Sequence, residues 1–338
     1  MKRVWALDFG RDSVVAAVAE TKTGGELRLL GTGESPAQGF AGADLESLGD
    51  ATEAVVAAVR EAEQRSGLKC ESLFYNIDDA SLESSYSTAT RSLTGEGQIR
   101  SEDVREAMGT ALRMVGRFEK SAVYSCATSF LIDGKDPVLN PVGIFGRQLD
   151  VTLHVLLARA DHRERWQKVI ERSRLKEGIP VLSLLSASRG VLEAGDQHRR
   201  VLLWDLGKDT LNAALIGDGI LREALVLKAN GLSASDIVSA VVSHSVKIMG
   251  NGGVEEILLT GDWAENHALT EKIRSQSEAP VSVRAPWGIA ELRDPHQASL
   301  AGLLRVAAES HKGPRSLEFG KNLLGLRQKA VTLINEYF

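Results

Sequence analysis

Two short stretches each place acidic, basic and hydroxyl side chains around a glycine, a combination that can bind phosphate. The first reads VWALDFGRDSVVAAV near the start of the chain and contains Asp8, Gly10, Arg11 and Ser13. The second reads VLLWDLGKDTLNAALI and begins at Val201. Turn amides and a hydroxyl donate to phosphate oxygens, and Asp carboxylates hold Mg²⁺ through water. The stretches therefore predict a candidate cleft for a nucleoside triphosphate.

The second stretch repeats the first in order. The equivalents of the four residues above are Asp205, Gly207, Lys208 and Thr210. Each copy also has a second acid, Asp12 or Asp209, and each is an apolar run, a glycine turn and a second apolar run, which predicts a β-hairpin. Any two buried hairpins share some of this pattern, but the ordered match favours an internal duplication.

Length and composition limit the class of protein. With 338 residues the chain exceeds a single core of about 150 residues, so we expect at least two domains. The net charge of −5 lacks the basic surplus of a nucleic-acid-binding protein. Two cysteines, Cys70 and Cys126, fit neither a metal site nor a disulfide framework and favour a cytoplasmic protein. No segment approaches the ~20 apolar residues of a membrane span, and the N-terminus lacks a signal peptide.

The pattern of elements is that of an α/β protein in two related halves. Each half has a strand meander, a helix, a strand and further helices, which predicts two domains facing each other across a cleft. A helix is predicted from Asp50 to Gly67, and a compact block with a polar opening reads as an inserted α+β subdomain. The predicted divisions are 1–83 with 160–198 for the first domain, 84–159 for the insertion, 199–312 for the second domain, and 313–338 for a linker and C-terminal helix.

The C-terminal helix is predicted to be amphipathic. Apolar residues recur at helical spacing with basic residues beside them, which suits a helix lying on an anionic membrane surface. The residues assigned to this membrane helix are Leu323, Leu326, Arg327, Lys329, Leu333, Ile334 and Phe338. The alternative is a helix that docks on the protein's own surface.

Several motifs resemble a known family. DFGRDSVVAAVAE, DLGKDTLNAAL and LTGD, which contains Gly261, resemble the two phosphate loops and the adenosine loop of the actin-like ATPase superfamily. Within it, GQIRSEDVREAMGTAL, SFLIDGKDPVLNPVGIFGRQLDVTLHVLLA and VLSLLSASRGVL resemble the bacterial cell-division protein family FtsA. The resemblance implies an actin-like, duplicated two-domain fold with an insertion in the first half. It also implies a cytoplasmic protein at the inner membrane face that organises FtsZ or a related partner, with self-association.

The sequence departs from that family at the nucleotide loops. The family's second phosphate loop is commonly glycine-rich, as in DIGGGTTD, whereas Lys208 and Asp209 occupy the turn here. Asp12 and Asp209 would face a polyanion, and repulsion at ~4 Å costs on the order of 1 kcal/mol even in water. Lys208 and Arg11 can offset this by pairing with the phosphates or with those acids. In the third loop, Asp262 stands where glycine is usual.

A second departure is one of length. In the family a small subdomain, which contacts the base and docks FtsZ, lies between the second meander and the LTG loop. Here one helix and a GNGG turn nearly fill that interval. We therefore expect weak or lost binding of ATP and Mg²⁺, with Asp8 and Asp205 as the metal-holding residues if nucleotide binds. No residue is assigned as catalytic, and the chain reads as a pseudo-ATPase scaffold.

Two alternatives stay open at this point. One is a cytoplasmic actin-like platform of a type IV pilus or type II secretion assembly, which needs no membrane helix of its own. The other is an active Mg-ATPase or small-molecule kinase, which would require nucleotide binding that depends on Asp8 and Asp205.

Overall fold

A computed structural model describes residues 2–22, 25–42, 44–116, 119–138 and 140–310. The predicted linker and membrane helix, residues 313–338, lie outside these ranges. Among the described helices, none is long and apolar enough to cross a membrane.

The first half begins with a three-stranded meander and a long helix. Its elements up to the insertion are β1 (Arg3–Phe9), β2 (Ser13–Thr21), β3 (Leu27–Pro36), β4 (Phe40–Ala41), β5 (Asp44–Leu45), α1 (Leu48–Ser66) and β6 (Ser72–Ile77). The Ser47 side chain accepts from the backbone N–H of Asp50 at the start of α1. Gly67, with a φ of 71°, ends α1 in the left-handed conformation that glycine adopts without strain. The helix predicted for this segment is confirmed.

The insertion is a three-stranded antiparallel sheet with one helix. Its elements are β7 (Glu83–Gln98), α2 (Ser101–Met114), β8 (Lys120–Ile132) and β9 (Phe145–Arg159), and the strand order is β7-β9-β8. The sequence did not identify β7, because its serines and threonines resemble a loop. In the structure Ser87 and Ala89 are buried while Thr88 and Thr90 are exposed. This alternation suits an edge strand with one solvated face.

The second half repeats the arrangement of the first. After the insertion come α3 (Ala160–Arg172), β10 (Glu177–Leu182) and α4 (Ser183–Val191). The second half comprises β11 (Arg200–Leu206), β12 (Thr210–Gly217), β13 (Ile220–Lys228), α5 (Ala234–Met249), β14 (Glu256–Thr260), α6 (His267–Gln276), β15 (Val281–Val283) and α7 (Ala298–Glu309). The two main sheets have equivalent strand orders, β3-β2-β1-β6-β10 and β13-β12-β11-β14-β15. The predicted duplication and α/β fold class are confirmed.

A pair of crossing helices joins the halves. Helix α7 packs on β1, β2 and β6 of the first half, whereas α4 contacts β11 and β12 of the second. The helices approach closely at Gly190 and Gly302: a Cβ on Gly302 would lie 1.6 Å from the carbonyl oxygen of Ser186. The hydroxyls of Ser186 and Ser299 also lie 2.9 Å apart in this contact. The close approach explains why both positions need glycine.

The insertion also contacts the second half directly. His154 on β9 is fully buried, and its Nδ1 lies 3.0 Å from the carbonyl oxygen of Leu221 on β13. Its Nε2 lies 2.6 Å from the Ser84 hydroxyl, so the neutral ring donates through Nδ1 and accepts through Nε2. Burial lowers the pKa of His154, which keeps the ring neutral. The Tyr86 ring stacks on it with centroids 4.9 Å apart.

Helix α5 leads almost directly into β14. Ser233 caps the helix, accepting from the backbone N–H of Asp236 as predicted. After α5 the chain makes one 3₁₀ turn, Gly250–Gly252, and enters β14 at Glu256. The interval between the second meander and the LTGD motif therefore holds one helix and one turn.

Candidate functional site

The two predicted phosphate hairpins face each other across the boundary between the halves. Asp8 lies near the end of β1 and Asp205 near the end of β11, and each hairpin turn follows directly. The first turn is closed by a hydrogen bond of 2.9 Å from the backbone N–H of Gly10 to the carbonyl oxygen of Ser13. Asn76 on β6 holds the base of this hairpin, because its Oδ1 accepts from the backbone N–H of Phe9 at 2.6 Å.

Four carboxylates form the floor between the hairpins, and the duplication relates them in pairs. Asp78 follows β6, which runs parallel to β1, and Asp262 follows β14, which runs parallel to β11. The strand registers make Asp78 the equivalent of Asp262, just as Asp8 is the equivalent of Asp205. The carboxyl ends of four parallel-paired strands thus deliver four acids to one place.

Burial and mutual repulsion change the ionisation of these acids. Burial, followed by the charges of Asp78 and Asp262, raises the pKa of Asp8 to about 7, although a hydrogen bond from Ser299 opposes the shift. Burial raises the pKa of Asp205 well above its usual value, and the charges of Asp78 and Asp8 add to this. Burial also raises the pKa of Asp78 and of Asp262. Adding phosphate charge here would increase the repulsion.

The charged residues of the two turns pair with each other. Arg11 of the first turn forms an ion pair with Asp209 of the second, and Lys208 of the second forms one with Asp12 of the first. Since Arg11 is the equivalent of Lys208 and Asp12 of Asp209, the two ion pairs are related by the duplication. Asp209 and Asp12 are the acids that the sequence analysis named, beside phosphates, as partners for Arg11 and Lys208.

A third predicted phosphate donor is also engaged across the boundary. The hydroxyl of Thr210, which is buried, donates to Oδ2 of Asp78 at 2.7 Å. Arg11, Lys208 and Thr210 therefore all donate to acids of the opposite half. Ser13, the fourth predicted side-chain donor, begins β2, and its backbone pairs with Pro36 of β3.

The predicted glycines have structural tasks in this cleft. Gly261 has a φ of 87°, and a Cβ there would lie 2.5 Å from Oδ1 of Asp205. A Cβ on Gly207 would lie 2.9 Å from the carbonyl oxygen of Thr210, and one on Gly10 would lie 3.1 Å from that of Ser13. These glycines permit close approach of the protein to itself in the hairpin turns and beside Asp205.

Three acceptor oxygens of the floor have no hydrogen-bond partner among the described residues. Oδ1 of Asp8, Oδ1 of Asp78 and Oδ1 of Asn212 are buried without a hydrogen-bond partner. No group of three or more His, Cys, Asp or Glu side chains within the described ranges is arranged to hold a metal ion. Asp8 and Asp205 are the predicted Mg²⁺-holding pair, and the charge of Asp8 adds to the rise in the pKa of Asp205 that burial causes.

Sequence reasoning missed several residues of this site. Asp78 ends the apolar segment SLFYNID, as Asp8 ends VWALD, so the same strand-then-Asp pattern would have identified it. Asn230 accepts from Arg11 at 3.2 Å, and Asp44 pairs with Lys228 at 2.9 Å. Neither had a sequence signal, because both lie in unremarkable polar stretches that the fold brings to the boundary.

Comparison with known proteins agrees with this architecture. Residues 79–157 match the family model described as the SHS2 domain inserted in FTSA. The chain is 22% identical to the cell division protein FtsA of Pseudomonas aeruginosa, in a match covering 100% of this chain and 81% of that protein. It is 25% identical to FtsA of Escherichia coli K12 over 71% of this chain and 57% of that protein. Against FtsA of Neisseria meningitidis the match spans 67% of this chain and 54% of that protein, about half its length.

A solved structure with the same fold is the PilM–PilN type IV pilus biogenesis complex. The similarity has a TM-score of 0.63, covers 90% of this chain and 98% of that one, and has 12% sequence identity. At this identity the likeness concerns the fold alone. Together, fold and insertion define an actin-like protein of two related halves whose first half carries an SHS2 domain. Within that class the chain is FtsA-like, since its similarity to an FtsA protein extends over its whole length.

Proposed function

We propose that the chain acts in cell division as an FtsA-like scaffold that tethers a protein partner or filament to the cytoplasmic face of the membrane. The observation that carries this proposal is the similarity to FtsA over the entire chain, including the SHS2 insertion. The partner is FtsZ or a related division protein, and the scaffold also associates with itself. The likeness to the PilM–PilN complex does not favour the pilus alternative, because it concerns the fold alone and one fold can host many functions.

The scaffold acts without turnover of ATP. A triphosphate needs donors, but Arg11, Lys208 and Thr210 already donate to acids across the boundary. The residues therefore do not fit a bound Mg-ATP as they stand, and we assign no catalytic residue. Nucleotide binding is weak or lost in this proposal.

The second domain is a reduced one. Only the turn Gly250–Gly252 and three further residues separate α5 from β14, where the FtsA resemblance implies a small subdomain that docks FtsZ. We infer three units: a first domain at 1–83 with 160–198, the insertion at 84–159, and this reduced second domain at 199–312. A partner would be recognised through surfaces other than that subdomain.

Attachment to the membrane is assigned to the C-terminal helix, with the protein peripheral on the inner face. Its residues lie outside the described ranges, so the sequence pattern alone supports this step. Leucines, isoleucine and phenylalanine on one face with Arg327 and Lys329 beside them suit an anionic membrane surface. The alternative, a helix docked on the protein's own surface, gives the opposite result in the experiment below.

Co-sedimentation with vesicles tests the proposal. The full chain is mixed with FtsZ polymers and anionic phosphatidylglycerol vesicles, and we expect both proteins to pellet with the lipid. A chain ending at Gly320, or the full chain with Leu326→Glu and Leu333→Glu, should leave both in the supernatant. Vesicles of neutral phosphatidylcholine serve as the lipid control, with reduced binding expected because the basic residues lose their attraction.

Each outcome of that experiment is decisive for one part of the proposal. If the full chain stays in the supernatant with anionic vesicles, the tether is wrong and an anchor-free platform is favoured. If the chain pellets but FtsZ does not, the tether stands and FtsZ is not the partner.

A further inference from the structure

The ion pairs across the boundary are reciprocal. Arg11 reaches from the first turn to Asp209 in the second, and Lys208 reaches from the second turn to Asp12 in the first. Each turn therefore supplies one cation and one acid, and each group finds its opposite on the other half. Neutralising any one of the four residues therefore breaks one ion pair and leaves one unpaired charge on the opposite hairpin.

Further contacts support the same junction. The Arg11 guanidinium also donates to Oδ1 of Asn230 at 3.2 Å. The loop between β4 and β5 lies against the second turn, where a Cβ on Gly42 would be 2.8 Å from the Cβ of Asp209. Asp44 of β5 pairs with Lys228 at the end of β13 at 2.9 Å. The two halves thus meet directly at the predicted phosphate turns.

We propose that Arg11, Asp12, Lys208 and Asp209 form an ionic latch that holds the two halves closed in place of a bound polyphosphate. The inference rests on the weak nucleotide binding proposed above and adds what controls the cleft. The stronger the electrostatic attraction between the hairpins, the more firmly the two halves stay closed.

The exposure of the latch residues determines how it responds to its surroundings. The side chains of Lys208 and Asp12 are 43% and 68% exposed, so salt screens their attraction strongly. The side chain of Asp209 is only 10% exposed, and its pair with Arg11 is screened less. High ionic strength therefore opens the Lys208 side first, and the Arg11 pair is the stronger part of the latch.

Hydrogen–deuterium exchange of the full chain tests the latch. We follow peptides covering 8–15 and 205–212 in Arg11→Glu, Asp209→Arg and the double variant with both changes. Each single variant places like charges opposite each other, and we expect about five-fold faster exchange in both hairpins. The double variant restores an opposite-charge pair and should return exchange to near the wild-type rate. Raising NaCl to about 1 M, where the Debye length is about 3 Å, should accelerate wild-type exchange in the same peptides.

A matched control separates the latch from general charge effects. Lys176→Glu breaks an exposed ion pair with Glu71 within the first half, away from the hairpins, and should leave both peptides unchanged. The latch is overturned if the double variant fails to recover while its far-ultraviolet circular dichroism is native, or if salt leaves the hairpins unaffected. Mg-ATP binding is measured separately by calorimetry. If Mg-ATP binds tightly while the double variant still recovers wild-type exchange, the proposal of weak nucleotide binding is wrong and the latch stands.

Discussion

Asp8 is an acid at the carboxyl end of a buried strand, with one oxygen that no donor reaches. Burial raises its pKa to about 7, against 3.8 for an unburied Asp. Burial also raises the pKa of Asp205, which the duplication places opposite. Both carboxyls therefore bind a proton more tightly than exposed acids do.

The Asp8 shift predicts how stability changes with pH. Between about pH 4 and pH 7 the folded chain holds a proton on Asp8 that the unfolded chain releases, so the free energy of unfolding falls as pH rises. The slope is at most about 1.4 kcal/mol per pH unit for each such group. We expect Asp8→Asn to flatten the decline measured by urea unfolding across this range. Asp161→Asn is the control, because Arg159 lowers the pKa of that exposed acid. The prediction is contradicted if the free energy of unfolding declines with pH at the same slope in wild type and in Asp8→Asn.

The turn residues predict a gain of nucleotide affinity. Lys208→Gly with Asp209→Gly restores a glycine-rich turn to which phosphate can come close. The change removes one cation and one acid, and it releases both Arg11 and Asp12 from their ion pairs. We expect calorimetry to show saturable Mg-ATP binding by this variant below about 1 mM nucleotide, where wild type shows none. Asp218→Gly is a matched control, since Asp218 lies in the β12–β13 turn with a φ of 54° and is not part of the cleft. Unchanged affinity in the double-glycine variant would mean that the turn does not limit binding.

At the scale of elements, the local sequence pattern predicts those helices, strands and caps that are determined by neighbouring residues in the chain. The hairpins, α1 and the Ser233 cap of α5 follow from alternation, spacing and capping, and the structure has them. Strand β7 was missed because its polar residues resemble a loop, and the strand is recognisable only from its backbone pairing with β9. The packing of α7 against α4 was also beyond prediction, because the contact of Gly190 with Gly302 joins residues far apart in sequence.

The crossing of these helices predicts opposite effects for two glycine substitutions. In Gly302→Ala the added Cβ would meet the Ser186 carbonyl oxygen at 1.6 Å, so the helices must separate. We expect the free energy of unfolding to fall by about 3 kcal/mol or more. In Gly109→Ala on α2 the added Cβ would lie 3.4 Å from its nearest neighbour, a nitrogen of the flexible Arg113 side chain. We expect the free energy of unfolding to rise by about 0.5–1 kcal/mol. Urea unfolding measures both, and a mild effect of Gly302→Ala would contradict the described helix contact.

At the scale of the whole molecule, several contacts among the described residues join the halves. They include the crossing helices, the contact of the SHS2 insertion with β13, and the ion pairs between the hairpins. The sequence predicted the two halves and the insertion, and it located the hairpins that meet. It could not say which partners the charged turn residues choose, because that depends on how the halves are juxtaposed.

The most direct measurement for this account is a calorimetric titration of the full wild-type chain with Mg-ATP. We expect no saturable binding up to about 1 mM nucleotide, because the donors of both hairpins are engaged with acids of the opposite half. A dissociation constant of about 10 µM or tighter that is lost in Asp8→Ala or Asp205→Ala would contradict it and favour an active nucleotide-binding protein.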